Sequence, residues 1–149
     1  MKNQLLSVAL AAMLFGCAGS HAWSTVGDDS EMMVVPLCRV VADPKKYDGD
    51  RIKIEGMFRQ EPPGPTFRGV RCPDMLQLKS APDRNMETAA ETTLSAVIRK
   101  DQTADVLVVY DANFHILPNI QCSEVHCFRY GLEIHAVVRA RAQPKSSIR

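Results

Sequence analysis

The sharpest alternation of apolar and polar residues lies between Arg51 and Phe58. Successive side chains of a β-strand point to opposite faces, so a period of two predicts a strand with one buried face. The apolar face holds Ile52, Ile54 and Phe58, and the polar face holds Arg51, Lys53 and Glu55. Gly56 interrupts the apolar face, which is typical of a bend or bulge in a barrel strand.

Further strands are predicted from β-branched runs and from alternation. These segments are Thr66–Arg71, Met75–Lys79, Ala104–Tyr110 and Leu132–Arg141. In the last of them, one face is expected to carry Leu132, Ile134, Ala136, Val138 and Ala140. Two loops are predicted between strands: the proline-rich segment Arg59–Pro65 and the long, irregular segment Asp111–Tyr130.

Two helices are predicted. The apolar residues between Met86 and Ile98 recur at the three-and-four spacing of an amphipathic helix, with Asn85 as its expected N-cap. A shorter helix is expected over Pro36–Ala42. It should end there, because Pro44 disfavours helical angles in the residue before it. Asp48 and Gly49 then predict a tight turn before the first strand.

Three strands, a helix and two more strands follow one another in the order of an OB-fold. We therefore predict a mainly β domain over residues 34–143: a five-stranded OB-like Greek-key barrel with one or two helices, the main helix lying between strands three and four. The spacing Cys38-x5-Pro44-x2-Tyr47-x-Gly49, followed by a strand with Gly56, resembles the entry to small OB-like domains of exported bacterial proteins. Residues 144–149 are expected to form a flexible tail.

The first sixteen residues have the pattern of an export signal. Lys2 precedes an apolar run from Leu5 to Phe15, which is shorter than a membrane span. Leu14-Phe15-Gly16-Cys17 resembles the lipobox of bacterial lipoproteins, which implies cleavage before Cys17, lipid on that cysteine and a membrane anchor. Ala18, the residue after this cysteine, resembles the sorting signal of outer-membrane lipoproteins. The protein would then face the periplasm. Cleavage before Trp23 is the alternative, and residues 17–33 are expected to form a tether.

The charge of the mature chain excludes strong non-specific binding to a polyanion. Removing the signal takes only Lys2 from the 18 Lys and Arg residues, so 17 positive charges face 17 Asp and Glu residues. A neutral chain lacks the basic excess that releases counterions from nucleic acid. We expect no nucleic-acid partner.

Four cysteines follow Cys17 in the chain: Cys38, Cys72, Cys122 and Cys127. An even number in an exported protein predicts two disulfides, which would stabilise a small core. Three connectivities are possible. A local bridge between Cys122 and Cys127 is the simplest, and it would leave Cys38 to pair with Cys72.

OB-folds bind through strands two and three and through the loops between strands one and two and between strands four and five. The sequence therefore points to a partner surface, either for an envelope protein or for a small envelope ligand. The residues expected to contact it are Phe67, Arg68, Phe114, Leu117, Phe128 and Arg129. The alternative is that the apolar loop residues fold back and close the end of the barrel.

Metal binding is a second hypothesis. His115, Cys122, His126, Cys127 and His135 lie within 21 residues, and thiolate and imidazole suit zinc or copper. The C-x4-C spacing is unusual for zinc, so disulfide formation is favoured and no metal or cofactor is predicted. His135 is expected to be exposed on the polar face of its strand.

Catalytic motifs such as G-x-S-x-G and H-E-x-x-H do not occur in the chain. We therefore expect a non-catalytic binding module, in one version an inhibitor or immunity-type periplasmic protein. A metal-binding protein or a purely structural envelope component is the alternative.

Overall fold

A computed structural model describes residues 33–62 and 64–144. The predicted signal peptide, the lipidation site at Cys17, the tether up to residue 32 and the last five residues of the predicted tail lie outside the described residues. The described tail residue, Pro144, follows the last strand and is exposed.

The described part of the chain is mainly β, with two α-helices and one mixed sheet of six strands. Its strands are β1 (Val34–Pro36), β2 (Arg51–Glu61), β3 (Gly64–Arg68), β4 (Met75–Asn85), β5 (Val106–Cys122) and β6 (Cys127–Ala142). Its helices are α1 (Leu37–Ala42) and α2 (Ala89–Lys100), with a 3-10 turn at Pro44–Lys46. Neither α-helix is long and apolar enough to cross a membrane.

The strand order is β1-β2-β3-β4-β6-β5, and β2 also pairs with β5. β2 is antiparallel to both β3 and β5, and β5 is antiparallel to β6. β4 and β6 run parallel, as do β1 and β2. The short strand β1 extends the sheet beside β2 and was not predicted from the sequence.

The alternation over Arg51–Phe58 forms β2 as expected, with Ile54 and Phe58 buried. Gly56 also lies on this buried face. A Cβ at that position would come within 2.6 Å of the Phe67 ring and 2.9 Å of the Arg68 carbonyl oxygen. Glycine therefore lets β2 and β3 approach each other closely, whereas the sequence had suggested a bend or bulge there.

The hydrophobic core lies between the inner faces of the long strands, with α1 and α2 packed against it. Its largest fully buried side chains are Tyr110, Phe67, Phe114, Leu37, Ile54, Leu76 and Leu132. Burial of each such side chain contributes roughly 1.5–3 kcal/mol, so this cluster is the main source of stability.

Helix α2 starts three residues later than predicted, because its N-cap is Thr88 and not Asn85. The Thr88 hydroxyl accepts a hydrogen bond from Glu91 N (3.0 Å) and donates one to Val137 O (2.9 Å). The T-A-A-E sequence at the helix start has the Thr-x-x-Glu spacing of a capping box, which was the missed signal.

Both predicted loops are largely strand, so these predictions were wrong. Arg59–Glu61 belongs to β2 and Gly64–Pro65 to β3, which makes a tight hairpin. The segment predicted as an irregular loop over Asp111–Tyr130 forms the outer half of a long hairpin between β5 and β6. Only residues 123–126 separate these two strands.

The pairing of β6 shifts on both of its sides around His135. On the β5 side, Ile134 pairs with Ala112 and Ala136 pairs with Asp111, so His135 is an extra residue. On the β4 side, the register also breaks between Ser80 and Asn85. A bulge redirects side chains. Beyond it the expected alternation fails: Val137 is 1% exposed, whereas Val138 is 44% exposed.

Candidate functional site

The four described cysteines form two disulfides, Cys38–Cys72 and Cys122–Cys127. This confirms the expectation of two bridges and selects one of the three connectivities. The first joins α1 to the segment between β3 and β4, with 5.7 Å between the Cα atoms. The second closes the β5–β6 hairpin near its end, with 4.0 Å between the Cα atoms.

Two of the predicted contact residues lie in the core and are unavailable at the surface. Phe67 and Phe114 are both 0% exposed. The Phe67 ring packs edge-on against Tyr110 at 5.0 Å between centroids, and the Phe114 ring packs against Tyr130 at 5.6 Å. Phe67 lies on a predicted strand and Phe114 lies in a segment predicted as a loop, and for neither ring did the sequence predict the side that it faces.

Arg68 is part-exposed beside a compensated charge cluster. Its Nη2 lies 3.7 Å from Asp105 Oδ1, while Arg59 binds the same carboxylate through two hydrogen bonds of 2.8 and 2.6 Å. Hydrogen bonding to Asp105 raises the pKa of Arg59 above its usual value. Glu61 adds a second carboxylate, 3.0 Å from Arg59 Nη1. The patch is therefore close to neutral, which gives it little attraction for a polyanion.

The other three predicted contact residues lie in the segment we call the distal hairpin (residues 117–130). Leu117 is half-buried against Gly131, Phe128 is half-buried, and Arg129 is exposed. The ring of Phe128 lies edge-on to His126, with 6.3 Å between the ring centroids. The structure therefore brings these three residues together on one projecting element, and separates them from Phe67 and Phe114.

The turn of the distal hairpin is held by its own hydrogen bonds. Ser123 N donates to His126 O (2.8 Å), and Ser123 Oγ accepts from His126 N (3.1 Å). The disulfide lies directly behind this turn. Two apolar side chains near the bridge nevertheless face solvent: Ile120, which precedes Cys122, is 56% exposed, and Val125, between the two cysteines, is 61% exposed. The sequence signal for Val125, an apolar residue inside a polar turn, was missed.

A groove of about 630 Å³ lies at the base of the distal hairpin, which we call the hairpin groove. It is lined on β4 by Gln77 and Lys79, on β5 by His115 and Leu117, and on β6 by Gly131 and Glu133. Gly131 leaves room for Leu117, since an added Cβ would lie 3.2 Å from Leu117 Cδ2. The groove contains a positive charge on Lys79 and a negative charge on Glu133 beside the apolar side chain of Leu117. Its β4 residues were not predicted as site residues.

The predicted metal ligands do not converge. Cys122 and Cys127 share a disulfide, so their sulfurs are not free thiolates. Within the described residues, no group of three or more His, Cys, Asp or Glu side chains is arranged to hold a metal ion. The disulfide removes two of the five ligands on which the metal hypothesis rested.

His135 is not an exposed residue of a polar face, as the sequence suggested; its side chain is 14% exposed. Its Nδ1 lies 2.7 Å from Asp83 Oδ1, and its Nε2 lies 2.5 Å from Asn113 Oδ1. A carboxylate only accepts hydrogen bonds, so Nδ1 carries a proton. This hydrogen bond lowers the pKa of Asp83 below its usual value. The three residues tie β4, β5 and β6 together, which is a structural role.

Comparison of the chain with protein-family models, with curated proteins and with solved structures finds no match.

Proposed function

We propose that this chain is a lipid-anchored cell-envelope protein that acts as a non-catalytic binding module, and that the distal hairpin is its contact element. The observation that carries the proposal is the exposure of Ile120 and Val125 near the Cys122–Cys127 bridge. Apolar side chains on a projecting, covalently closed turn are poorly placed to stabilise the chain's own core. They are well placed to enter an apolar pocket of another protein.

The energetics favour such a contact. Burying a large aliphatic side chain contributes about 1.5–3 kcal/mol, so two of them supply a useful part of a protein–protein affinity. Binding normally costs the entropy of ordering a loop, and a preorganised loop avoids much of that cost. The disulfide and the Ser123 hydrogen bonds preorganise this turn. The partner we propose is an envelope protein, and an inhibitor or immunity-type function is one form of this binding.

The hairpin groove extends the same surface. Leu117 belongs both to the distal hairpin and to the groove, so a partner that meets the tip also reaches Lys79 and Glu133. These two residues occupy paired positions of β4 and β6 and have opposite charges. Polar groups at the edge of an interface give specificity and orientation more than affinity.

The fold that we propose for this module is an OB-like barrel formed by β2 to β6. The support comes from the pairing: β2 with β3, β3 with β4, β4 with β6, β6 with β5, and β5 with β2 again. α2 lies in the chain between the third and fourth of these strands. In an OB-fold, the connection between strands four and five is a common binding element, and the distal hairpin occupies that position.

The envelope location rests on the sequence of the export signal and on the cysteines. Disulfides form and persist in oxidising compartments such as the periplasm, and both pairs of described cysteines are bridged. Lipidation is tested by labelling cells with a palmitate analogue. The native chain should be labelled and sediment with membranes, and Cys17→Ser should be unlabelled. A labelled Cys17→Ser chain, or an unlabelled native chain, contradicts the lipid anchor.

The binding surface is tested with matched serine variants. The disulfide-intact protein is immobilised and envelope extract from the source cells is passed over it. We expect a protein to be retained by the native chain and by Val138→Ser, which removes an exposed valine from β6 far along the strand from the turn. The double variant Ile120→Ser/Val125→Ser should lose that protein. If the double variant retains it as well as Val138→Ser does, the distal hairpin is not the contact element.

A further inference from the structure

A second cavity lies where β3 and β4 separate. These strands pair only at Phe67↔Leu76 and Arg68↔Met75, although β4 continues to Asn85. Between the strands, and bordered by α2, lies a cavity of about 240 Å³ that we call the seam cavity. Its walls come from β2, β3, β4, β5, β6 and α2. Six elements therefore line it, whereas three strands line the hairpin groove.

The inner wall of the seam cavity is apolar. It consists of Phe58, Leu78, Leu94, Ile98, Tyr110 and Ile134. Four of these side chains belong to the buried core, with exposures between 1% for Tyr110 and 6% for Phe58. An apolar cavity of about 150 Å³ in a protein core can bind benzene. The seam cavity, at about 240 Å³, therefore has room for one small ring or a short aliphatic chain.

A nearly buried ion pair lies at the same cavity. Arg84 Nη2 contacts both carboxylate oxygens of Glu91, at 3.0 and 2.8 Å, and Arg84 Nη1 donates to Ser80 Oγ at 2.8 Å. The side chains are 17% and 9% exposed. The Nε of Arg84, however, is buried without a hydrogen-bond partner among the described residues. A buried unpaired donor is costly, and a charged one more so.

Lys79, Ser95 and Tyr110 also line the seam cavity. Within the described part of the chain, Lys79 makes no ion pair, and the hydroxyl groups of Ser95 and Tyr110 make no hydrogen bond. Burial raises the pKa of Tyr110 well above its usual value, so its hydroxyl stays protonated. Lys79 and Arg84 together outweigh Glu91 by one positive charge. The lining of the cavity therefore carries a net positive charge, and one of its donors, Arg84 Nε, has no partner among the described residues.

We propose that the seam cavity binds a small organic carboxylate, with its ring or short chain against the apolar wall and its carboxylate accepting a hydrogen bond from Arg84 Nε. A carboxylate supplies an acceptor for the unpaired Arg84 Nε and a negative charge that balances the net positive charge of the lining. An organic cation would add to the excess positive charge. A purely polar anion would leave the apolar wall unfilled. The proposal does not depend on the distal hairpin, because the two sites share no lining residue apart from Leu78 and Lys79, which border both cavities.

The test uses three probes of one size: benzoate, neutral benzamide and cationic benzylammonium. Each is titrated into the purified, disulfide-intact chain while backbone amide resonances are recorded. We expect saturable shifts with benzoate, centred on the β3–β4 seam and on α2. Benzamide should bind about tenfold more weakly or worse, since a charge-assisted hydrogen bond is lost, and benzylammonium should not bind. The absence of saturable benzoate shifts up to about 10 mM overturns the proposal, as do equal shifts from all three probes.

Three variants locate the site. Ser95→Leu places a larger side chain in the cavity and should abolish the benzoate shifts. Ala96→Leu makes the same kind of change at the neighbouring exposed position of α2 and should leave them unchanged. Arg84→Met/Glu91→Met replaces the ion pair with apolar side chains, a change that proteins often tolerate. It should abolish the preference for benzoate over benzamide while the fold, judged by amide dispersion, is kept. Native benzoate binding in Ser95→Leu contradicts the location, and a preserved benzoate preference in the double Met variant contradicts the role of Arg84.

Discussion

His135 Nδ1 lies 2.7 Å from Asp83 Oδ1, and this contact joins β6 to β4 at the place where their register breaks. Between Ser80 and Asn85, the segment of β4 that contains Asp83 has lost its pairing with β6. The His135 side chain replaces the missing backbone pairing with a side-chain hydrogen bond. The side chain of the next residue, Arg84, extends from the same segment and donates hydrogen bonds to Glu91. One bulge thus serves both the β4–β6 junction and the seam cavity.

The first prediction concerns pH and Asp83→Asn. The folded protein lowers the pKa of Asp83, chiefly through the His135 hydrogen bond, so the ionised carboxylate stabilises the fold. This stabilisation is complete above the usual carboxyl pKa of about 3.9 and is lost as pH falls through the lower, folded value. The native chain should melt above Asp83→Asn at pH 6, and the difference should shrink towards zero as the pH falls through the lowered pKa of Asp83. Melting temperatures measured by circular dichroism across this range decide the point.

A double-mutant cycle separates this contact from general charge effects. In a His135→Gln background, Asp83→Asn should change the melting temperature much less than it does in the native background. An equal effect in both backgrounds, or a difference that does not vary with pH, would show that His135 is not the partner that matters.

The two disulfides should contribute unequally to stability. Cross-linking stabilises mainly by restricting the unfolded chain, and the gain increases with loop length. With sequence separations of 34 and 5 residues, removal of Cys38–Cys72 should cost about 4 kcal/mol and removal of Cys122–Cys127 about 2 kcal/mol. Urea unfolding of the paired Cys→Ala variants measures both values. A larger loss from the second pair would contradict this ordering.

Gly69→Ala should prevent the Cys38–Cys72 bridge. A Cβ on Gly69 would overlap the sulfur atoms of both cysteines, so the bridge and the added methyl group exclude each other. The matched control is Gly64→Ala, where an added Cβ has no heavy atom within 4 Å. Intact mass and thiol titration of the two variants, purified without reductant, should find two free thiols in the first and none in the second. A fully oxidised Gly69→Ala protein with native stability would refute the steric argument.

Thr88→Ala should destabilise the protein by about 2 kcal/mol, because it removes the N-cap of α2 and the hydrogen bond to Val137 O together. Thr93→Ala is the control. Its hydroxyl only donates back to Ala89 O on the exposed side of the same helix, and alanine has the higher helix propensity, so the change should be neutral or stabilise by about 0.5 kcal/mol. Urea midpoints of the two variants should therefore move in different directions or by clearly different amounts.

The elements that were predicted correctly are those whose signal is local. β2 follows from alternation over eight residues, α2 from three-and-four spacing, and the end of α1 from Pro44. The pairing of Cys122 with Cys127 follows from their closeness in the chain. The distal hairpin was missed because Leu117–Ile120 of β5 faces only Arg129 of β6, so its side chains do not alternate regularly.

The candidate sites depended much more on contacts that are distant in sequence. Phe67, on a predicted strand, and Phe114, in a predicted loop, were both expected at the contact surface, and the sheet buries both. Val125 is proposed as a contact residue only because the structure shows that it is exposed at the hairpin turn. The seam cavity could not be predicted, since it exists where β3 and β4 diverge, and no local pattern records that divergence.

By itself the sequence determined the mainly β character, the main helix, the expectation of two disulfides and the succession of β2 to β6 along the chain, because composition and periodicity act over a few residues. The tertiary structure decided which strands pair, where β6 changes register, and which side chains lie at the hairpin tip and the seam. The physical reason is that pairing and register depend on partners far apart in the chain, such as Asp83 and His135, which are separated by 52 residues. The bulge at His135 inverts the faces of Val137 and Val138, and only the neighbouring strands impose it.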